Sequence, residues 1–196
     1  MSLIGKEAPQ FSCDALVKGH IRTVSLKDFA EKYKILFFYP LDFSFVCPTE
    51  LHSFQDIYQA VQERNGEILG ISVDSVYSHQ AWLDKPKAEG GIQGITYPLL
   101  SDMTKSLSRQ YGILNEDKGI SYRGVFLLDK NNIVQVVQVN NLNLGRNIQE
   151  ILRLLDALIF TEQHGEVCPA NWLAGEEGLK QTQESVIDYF AHKPQV

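Results

Sequence analysis

Cysteine is scarce in this chain: three residues in 196, at positions 13, 47 and 168, with no CxxC pair among them. An odd number of widely separated thiols is a poor framework for the stapled folds of small secreted domains. In a reducing compartment such thiols are free, metal-bound or catalytic, and the sequence reads as cytoplasmic. Basic charge is also short, with 18 Lys and Arg against 24 Asp and Glu and a net charge of −6, which argues against binding a phosphate backbone. Long hydrophobic runs are missing. The longest, Ile35–Tyr39, is far below the ~20 residues of a membrane helix, and the opening MSLIGKEAPQF carries no apolar core of signal-peptide length. Neither GxGxxG nor GxxxxGK[ST] occurs, and no internal repeat or low-complexity tract is found. Nucleic acid, membrane and nucleotide partners therefore have no support.

What is present is a series of short apolar runs. Lys34–Tyr39, Glu67–Val73, Arg123–Leu128 and Ile133–Val139 are rich in Ile, Val, Leu and Phe and end at Pro, Asp, Asn or Gly, so they predict four core strands. The first three are almost wholly apolar, as strands covered on both faces are. Asp129-Lys130-Asn131-Asn132 suits a tight turn, which makes the last two runs an antiparallel hairpin and the sheet a mixed one. Between the first two strands Leu51, Phe54, Ile57, Tyr58 and Val61 recur at helical spacing, and a later helix has Asp102 as its N-cap and Gly112 as its stop. Ile148, Ile151, Leu152, Leu155, Leu158 and Ile159 form the apolar stripe of another helix, set to pack on a sheet face. A Gly- and Pro-containing stretch follows it, then a final helix around Gln181–Ala191. The expected fold is α/β: a mixed central sheet flanked by helices over residues 1–163, with a C-terminal arm over 164–196.

Within that frame Cys47 falls at a strand-to-helix junction, ahead of Pro48, a residue suited to the first helical position because it has no N–H to leave unpaired. A sulfur there faces free backbone N–H groups and the positive end of the helix dipole, which favour a thiolate, the nucleophilic form. The alternatives are a small buried hydrophobe and a metal ligand. His164 and Cys168 have i, i+4 spacing, but Gly165 and Pro169 argue for a loop there, and His52 lies off the helical face of Cys47.

The segment YPLDFSFVCPTE resembles the active-site stretch of the peroxiredoxins, thiol peroxidases on a thioredoxin-like fold with the pattern Pro-x-x-x-Thr/Ser-x-x-Cys. Pro40, Ser44 and Cys47 match it position by position. GKEAPQF, HQAWLDKPKAEGG, YRGVFLLDK, LGRNIQEILRLLDAL and HGEVCPANW resemble further blocks of the typical two-cysteine subfamily, which includes the alkyl hydroperoxide reductase C component. The resemblance implies reduction of hydrogen peroxide and small organic hydroperoxides at Cys47. It implies that Ser44 and Arg123 contact sulfur and peroxide, that Pro40 shields the site from water, and that Glu50 and Arg146 hold Arg123 in place. It also implies that Cys168 resolves the oxidised Cys47 as an intersubunit disulfide, in a dimer that assembles further into a decamer. No metal, haem or flavin cofactor is implied, and the electron donor is thioredoxin or a flavoprotein disulfide reductase.

Two further stretches resemble the Gly-Gly-Leu-Gly loop and Tyr-Phe pair that make some peroxiredoxins easily over-oxidised. Gly90, Gly91 and Ile92 match the loop, Gln93 replaces its last glycine, and Tyr189 and Phe190 supply the pair. Ser44 also stands where threonine is more usual. Cys13 matches no catalytic cysteine and reads as structural or merely free, and His20, His79 and His192 are isolated in sequence. The rival functions are a general dithiol–disulfide oxidoreductase, opposed by the missing CxxC, and a holdase chaperone.

Overall fold

The apolar runs become strands within a residue of their expected ends in a computed structural model that describes residues 2–192. Residues 193–196 of the expected arm lie outside the described residues. In chain order the elements are β1 (Ser12–Val17), β2 (His20–Ser25), β3 (Tyr33–Phe38), α1 (Cys47–Glu63), β4 (Gly66–Ser72), α2 (Val76–Asp84), β5 (Leu99–Ser101), α3 (Ser106–Gln110), β6 (Leu114–Asn115), β7 (Ile120–Ser121), β8 (Arg123–Leu128), β9 (Val134–Asn140), α4 (Ile148–His164) and α5 (Gln183–His192). The chain divides into two compact units, one ending at Ile148 and the other beginning at Gln149.

In the first unit seven strands form one mixed sheet in the order β2-β1-β5-β4-β3-β8-β9, and β6 and β7 form a separate ribbon. β3, β4 and β5 run parallel, whereas β8 lies antiparallel to β3 and to β9. The expected hairpin is therefore present, with a bulge at Leu127/Leu128. Every residue of β3, β4 and β8 is buried, as their apolar composition requires. β3 alternates between faces: Phe38 packs edge-on against Phe126 and near Tyr111, while Phe37 stacks on Phe54 of α1 with ring centroids 4.0 Å apart. Lys34 is wholly buried within this apolar strand because its ammonium donates to the Asp129 and Lys130 carbonyls and the Asn132 side chain, closing the β8–β9 turn.

The short helix α3 starts later than Asp102 suggests. Lys105 precedes it in a left-handed conformation, and the Asp102 carboxylate reaches forward to the N–H groups of Leu107 and Ser108. Asp102 thus satisfies the helix start from outside the conventional cap position. Gly112, at φ +69°, follows the helix as its stop.

In the second unit the α4 positions Ile151 and Leu155 are buried. Trp172 is buried too and lies 4.9 Å from the Phe160 ring, and Val167 bridges Leu179. Among the described residues, no helix is long and apolar enough to cross a membrane.

Candidate active site

Topology brings the candidate residues to one end of the sheet. β3 ends at Phe38, the chain crosses Pro40–Val46, and α1 returns; because β8 is antiparallel to β3, its first residue, Arg123, lies at that same end. α1 begins at Cys47 itself, with Val46 as N-cap, so Pro48 takes the second helical position and not the first. The shift places the sulfur one residue deeper in the first turn, where proline is equally tolerated for want of an intrahelical N–H partner.

Cys47 has no exposed surface, and the Arg123 guanidinium donates toward its sulfur at 3.4 Å. The same Nη1 donates to Glu50 Oε2 at 2.8 Å, and Arg123 Nε donates to the Leu142 carbonyl at 2.7 Å. Glu50 also accepts from Arg146 three times, from its backbone N–H at 2.9 Å and from Nε and Nη2 at 2.8 Å each. Arg146 Nη1 donates to the Phe38 and Gly124 carbonyls, and its guanidinium lies over the Phe37 and Phe54 rings at 5.5 and 5.7 Å. Burial pushes the Glu50 carboxyl up, but the hydrogen bonds and charge of Arg146, joined by the charge of Arg123, outweigh it and hold the group below its ordinary value.

Pro40 is buried at the end of β3. Ser44 lies on the same loop, and its hydroxyl donates to the Leu41 carbonyl at 2.8 Å, a local bond that the sequence did not foreshadow. The loop is fastened by a polar cluster. The Asp42 carboxylate accepts from Tyr39 at 2.9 Å and Ser78 at 2.7 Å and pairs with His79 Nδ1 at 2.8 Å, while the Asp42 N–H donates to Asp74 at 2.9 Å. His79, isolated in sequence, is completely buried in this cluster. Its position in HQAWLDKPKAEGG and that of Asp42 in YPLDFSFVCPTE were the available signals.

Gly90 and Gly91 follow α2. Gly90 has φ +78°, and a Cβ on Gly91 would come within 1.9 Å of the Lys85 carbonyl oxygen, so both positions require glycine. Trp82 Nε1 donates to the Gly90 carbonyl at 2.9 Å.

In the second unit Cys168 is partly buried, its thiol directed at the Ala157 carbonyl at 3.7 Å. Burial pushes the Cys168 thiol up, and the nearby Arg153 partly offsets this. Arg153 is itself paired bidentately with Glu150 and donates to the Trp172 carbonyl. Tyr189 and Phe190 meet edge to face at 5.4 Å on α5, a helix without buried residues, and Phe190 is 71% exposed. Phe160 stacks on His164 at 4.5 Å. Cys13, on β1, is pushed up to about 12 by burial and by the charges of Asp102 and Asp14, so it is a protonated thiol at neutral pH.

Beside Cys47 the fixed cation and closed surroundings suit a sulfur nucleophile acting on a small substrate, and a cysteine-dependent enzyme is the class this arrangement defines. Comparison with known proteins narrows it. Residues 4–137 match the model of the AhpC/TSA family, and residues 157–192 match that of the C-terminal domain of 1-Cys peroxiredoxin. The chain is 46% identical over 188 residues to Peroxiredoxin-2 of Mus musculus, covering 96% of this chain and 95% of that protein. It is 48% identical over 179 residues to the thioredoxin peroxidase of Echinococcus granulosus, covering 91% and 93% respectively. The reduced 2-Cys peroxiredoxin of Plasmodium vivax superposes with a TM-score of 0.94 at 46% identity, over 97% of this chain and 100% of that one. The chain belongs to the peroxiredoxins of the AhpC/TSA family, cysteine-dependent peroxidases with a thioredoxin-like fold.

Proposed function

We propose that Cys47 is the thiol that reduces hydrogen peroxide and small organic hydroperoxides, and that Cys168 of a second protomer completes the cycle. The observation that carries this reading is the Arg123 guanidinium, 3.4 Å from the Cys47 sulfur and fixed by Glu50 at 2.8 Å. Two guanidiniums and one carboxylate leave this buried cluster with one net positive charge beside the Cys47 sulfur, placed to stabilise the negative charge that develops as sulfur attacks oxygen.

The Cys47 sulfur, having given up its thiol proton, attacks one peroxide oxygen; the O–O bond breaks, and the other oxygen leaves as alkoxide or hydroxide and takes up that proton as alcohol or water, giving Cys47 sulfenic acid. Arg123 stabilises the charge that develops on the oxygens. Ser44, with its proton on the Leu41 carbonyl, keeps lone pairs to accept from the peroxide O–H, and Pro40 excludes water. Glu50 and Arg146 hold Arg123 in place. The Cys168 thiol of the second protomer then attacks the sulfenic sulfur, water leaves, and a disulfide forms. A dithiol donor, thioredoxin or a flavoprotein disulfide reductase, restores both thiols.

Self-association follows from the same reading. Leu41, Phe43 and Phe45 lie on one loop, with Phe45 95% exposed, and Tyr77 on α2 is 75% exposed. Apolar side chains this open are covered in an assembly, and a decamer built from five dimers is the form we assign. The chain is assigned to the cytoplasm because its three cysteines, odd in number and far apart in sequence, make a poor framework for the disulfides of secreted domains. Cell fractionation checks that assignment.

Kinetics separate the two thiols. Cys47→Ser should consume no peroxide above background, whereas Cys168→Ser should give one burst equal to the protein concentration and no thioredoxin-driven turnover. Normal turnover in Cys47→Ser would remove the reading.

A further inference from the structure

Cys47 is fully buried at the first position of α1, yet a disulfide requires its sulfur to come within ~2.05 Å of another. The first turn of α1 must therefore leave its place before any thiol can trap the sulfenic acid. What fastens that turn sets how long the sulfenic sulfur stays exposed to a second peroxide. Glu50 is one fastening, but it belongs to the Arg123 cluster and cannot be altered without altering the chemistry.

A second fastening touches none of the reacting atoms. His52 Nε2 lies 3.1 Å from the Gly91 carbonyl oxygen, an acceptor, so the ring donates. One turn further on, Gln55 accepts from the Thr96 N–H at 2.9 Å and donates to the Thr96 hydroxyl at 3.1 Å, and just before His52 the Leu51 carbonyl accepts from Tyr97 at 2.8 Å. These bonds form a seam between α1 and the 91–97 loop, in which His52 is the α1 side chain closest to Cys47 in sequence. On the far side the loop is anchored: Gly91 N–H donates to Pro86, Ile92 N–H donates to Trp82, Trp82 Nε1 donates to Gly90, and Ile92 is wholly buried. Gly91 cannot retreat toward α2, because the Lys85 carbonyl already fills the space of a Cβ. The carbonyl that receives His52 is thus a fixed point, and an opening of α1 that reaches its second turn breaks this bond. Thr49 and Ser53, the neighbouring polar side chains of α1, donate to carbonyls of the N-cap and the helix, those of Val46 and Thr49, bonds that do not leave α1.

We propose that His52 is a positioning residue that tethers the first turns of α1 to Gly91 and so governs the partition of oxidised Cys47 between disulfide and sulfinic acid. This rests on the reading of Cys47 as the peroxide-reacting thiol. In the competing step the sulfenic sulfur attacks a second peroxide, the O–O bond breaks, one oxygen is added to sulfur and the other leaves as alcohol or water. Loosening the tether speeds opening, favours the disulfide and leaves the first attack unchanged, since the hydrogen bonds that place Arg123 beside Cys47 run through Glu50 and Leu142 and not through His52.

The test compares full-length wild type, His52→Leu and His52→Gln. Leucine fills similar space without a donor, whereas the glutamine amide retains one at similar reach. Sulfenic formation is followed by rapid mixing, disulfide formation by non-reducing electrophoresis, and sulfinic Cys47 by mass spectrometry after turnover at high peroxide. His52→Leu should form the disulfide roughly three- to tenfold faster, as the loss of one neutral hydrogen bond allows, with sulfinic yield lowered in proportion and the sulfenic rate unchanged. His52→Gln should return toward wild type. Hydrogen exchange of the Leu51–Gln55 amides should accelerate in the leucine variant and recover in the glutamine variant. Unchanged disulfide rate and sulfinic yield in His52→Leu, with Cys47 still reacting normally, overturn the tether alone. Failure of wild-type Cys47 to react with peroxide overturns the underlying reading instead.

Discussion

Cys13 and Cys47 belong to the same unit, Cys13 partly buried and Cys47 wholly so, and their charged neighbours have opposite sign. Cys13 faces Asp102 and Asp14, and burial together with these anions drives it up to about 12. Cys47 faces Arg123, which Glu50 and Arg146 keep in place through four hydrogen bonds to one carboxylate. Burial alone makes a cysteine a small hydrophobe. The two sulfurs differ in the sign of the nearest fixed charge, and Cys47 also lies at the start of α1, where backbone N–H groups have no intrahelical partner.

Removing the cation should erase the difference most completely. Arg123→Met should slow the reaction of Cys47 with peroxide by ~10²–10³-fold, the usual cost of one lost donor to a developing oxyanion. Stopped-flow measurement of the first oxidation, before any disulfide forms, checks this. A loss below threefold would assign the activation of Cys47 to the helix start alone.

Glu50→Gln acts one step removed, through the placing of Arg123. It should slow peroxide attack less than Arg123→Met, and lower stability by about 3 kcal/mol because two buried guanidiniums lose their anion. The pH dependence carries a sign. Glu50 is held below its ordinary value in the folded chain, so the unfolded chain binds more protons as pH falls through ~4.3, the reference value. Its contribution to stability is present above that pH and is lost as pH falls toward the folded value. Denaturant titrations across this acid window should show a shallower slope in the variant.

The smallest effect belongs to Cys13. Its folded value is raised, so its contribution is present below ~8.5, the reference value, and is lost as pH rises through about 12. Cys13→Ala should flatten the alkaline loss of stability across that window and leave peroxide turnover within twofold. Turnover that falls with Cys13 would break the contrast between the two thiols.

How much of this was legible in the sequence depended on how local each signal was. β3, β4 and β8 announced themselves because strands buried on both faces are unbroken apolar runs, and the Asp129–Asn132 turn marked the hairpin. Cys47 was legible from Pro48 and from the motif that Pro40 and Ser44 complete. β5 was not, since Leu99–Ser101 is three residues long and leaves no periodicity to read. α2 buries only Val76, His79 and Trp82 and so lacks a clean apolar stripe. The partners of His79 and His52, Asp42 and Gly91, are 37 and 39 residues away in sequence, so neither histidine gave any local sign of its bond. Ser44 shows the opposite limit: its bond to Leu41 spans three residues, but a loop of irregular backbone has no pattern from which to predict it.

The contrast between the thiols is tested most directly by adding one equivalent of hydrogen peroxide to the fully reduced full-length protein at neutral pH, trapping free thiols at once, and mapping all three cysteines by mass spectrometry. The account predicts Cys47 joined to Cys168 in covalent dimers, with Cys13 recovered as free thiol. Recovery of free Cys47 beside oxidised Cys13, or a disulfide that includes Cys13, would contradict it.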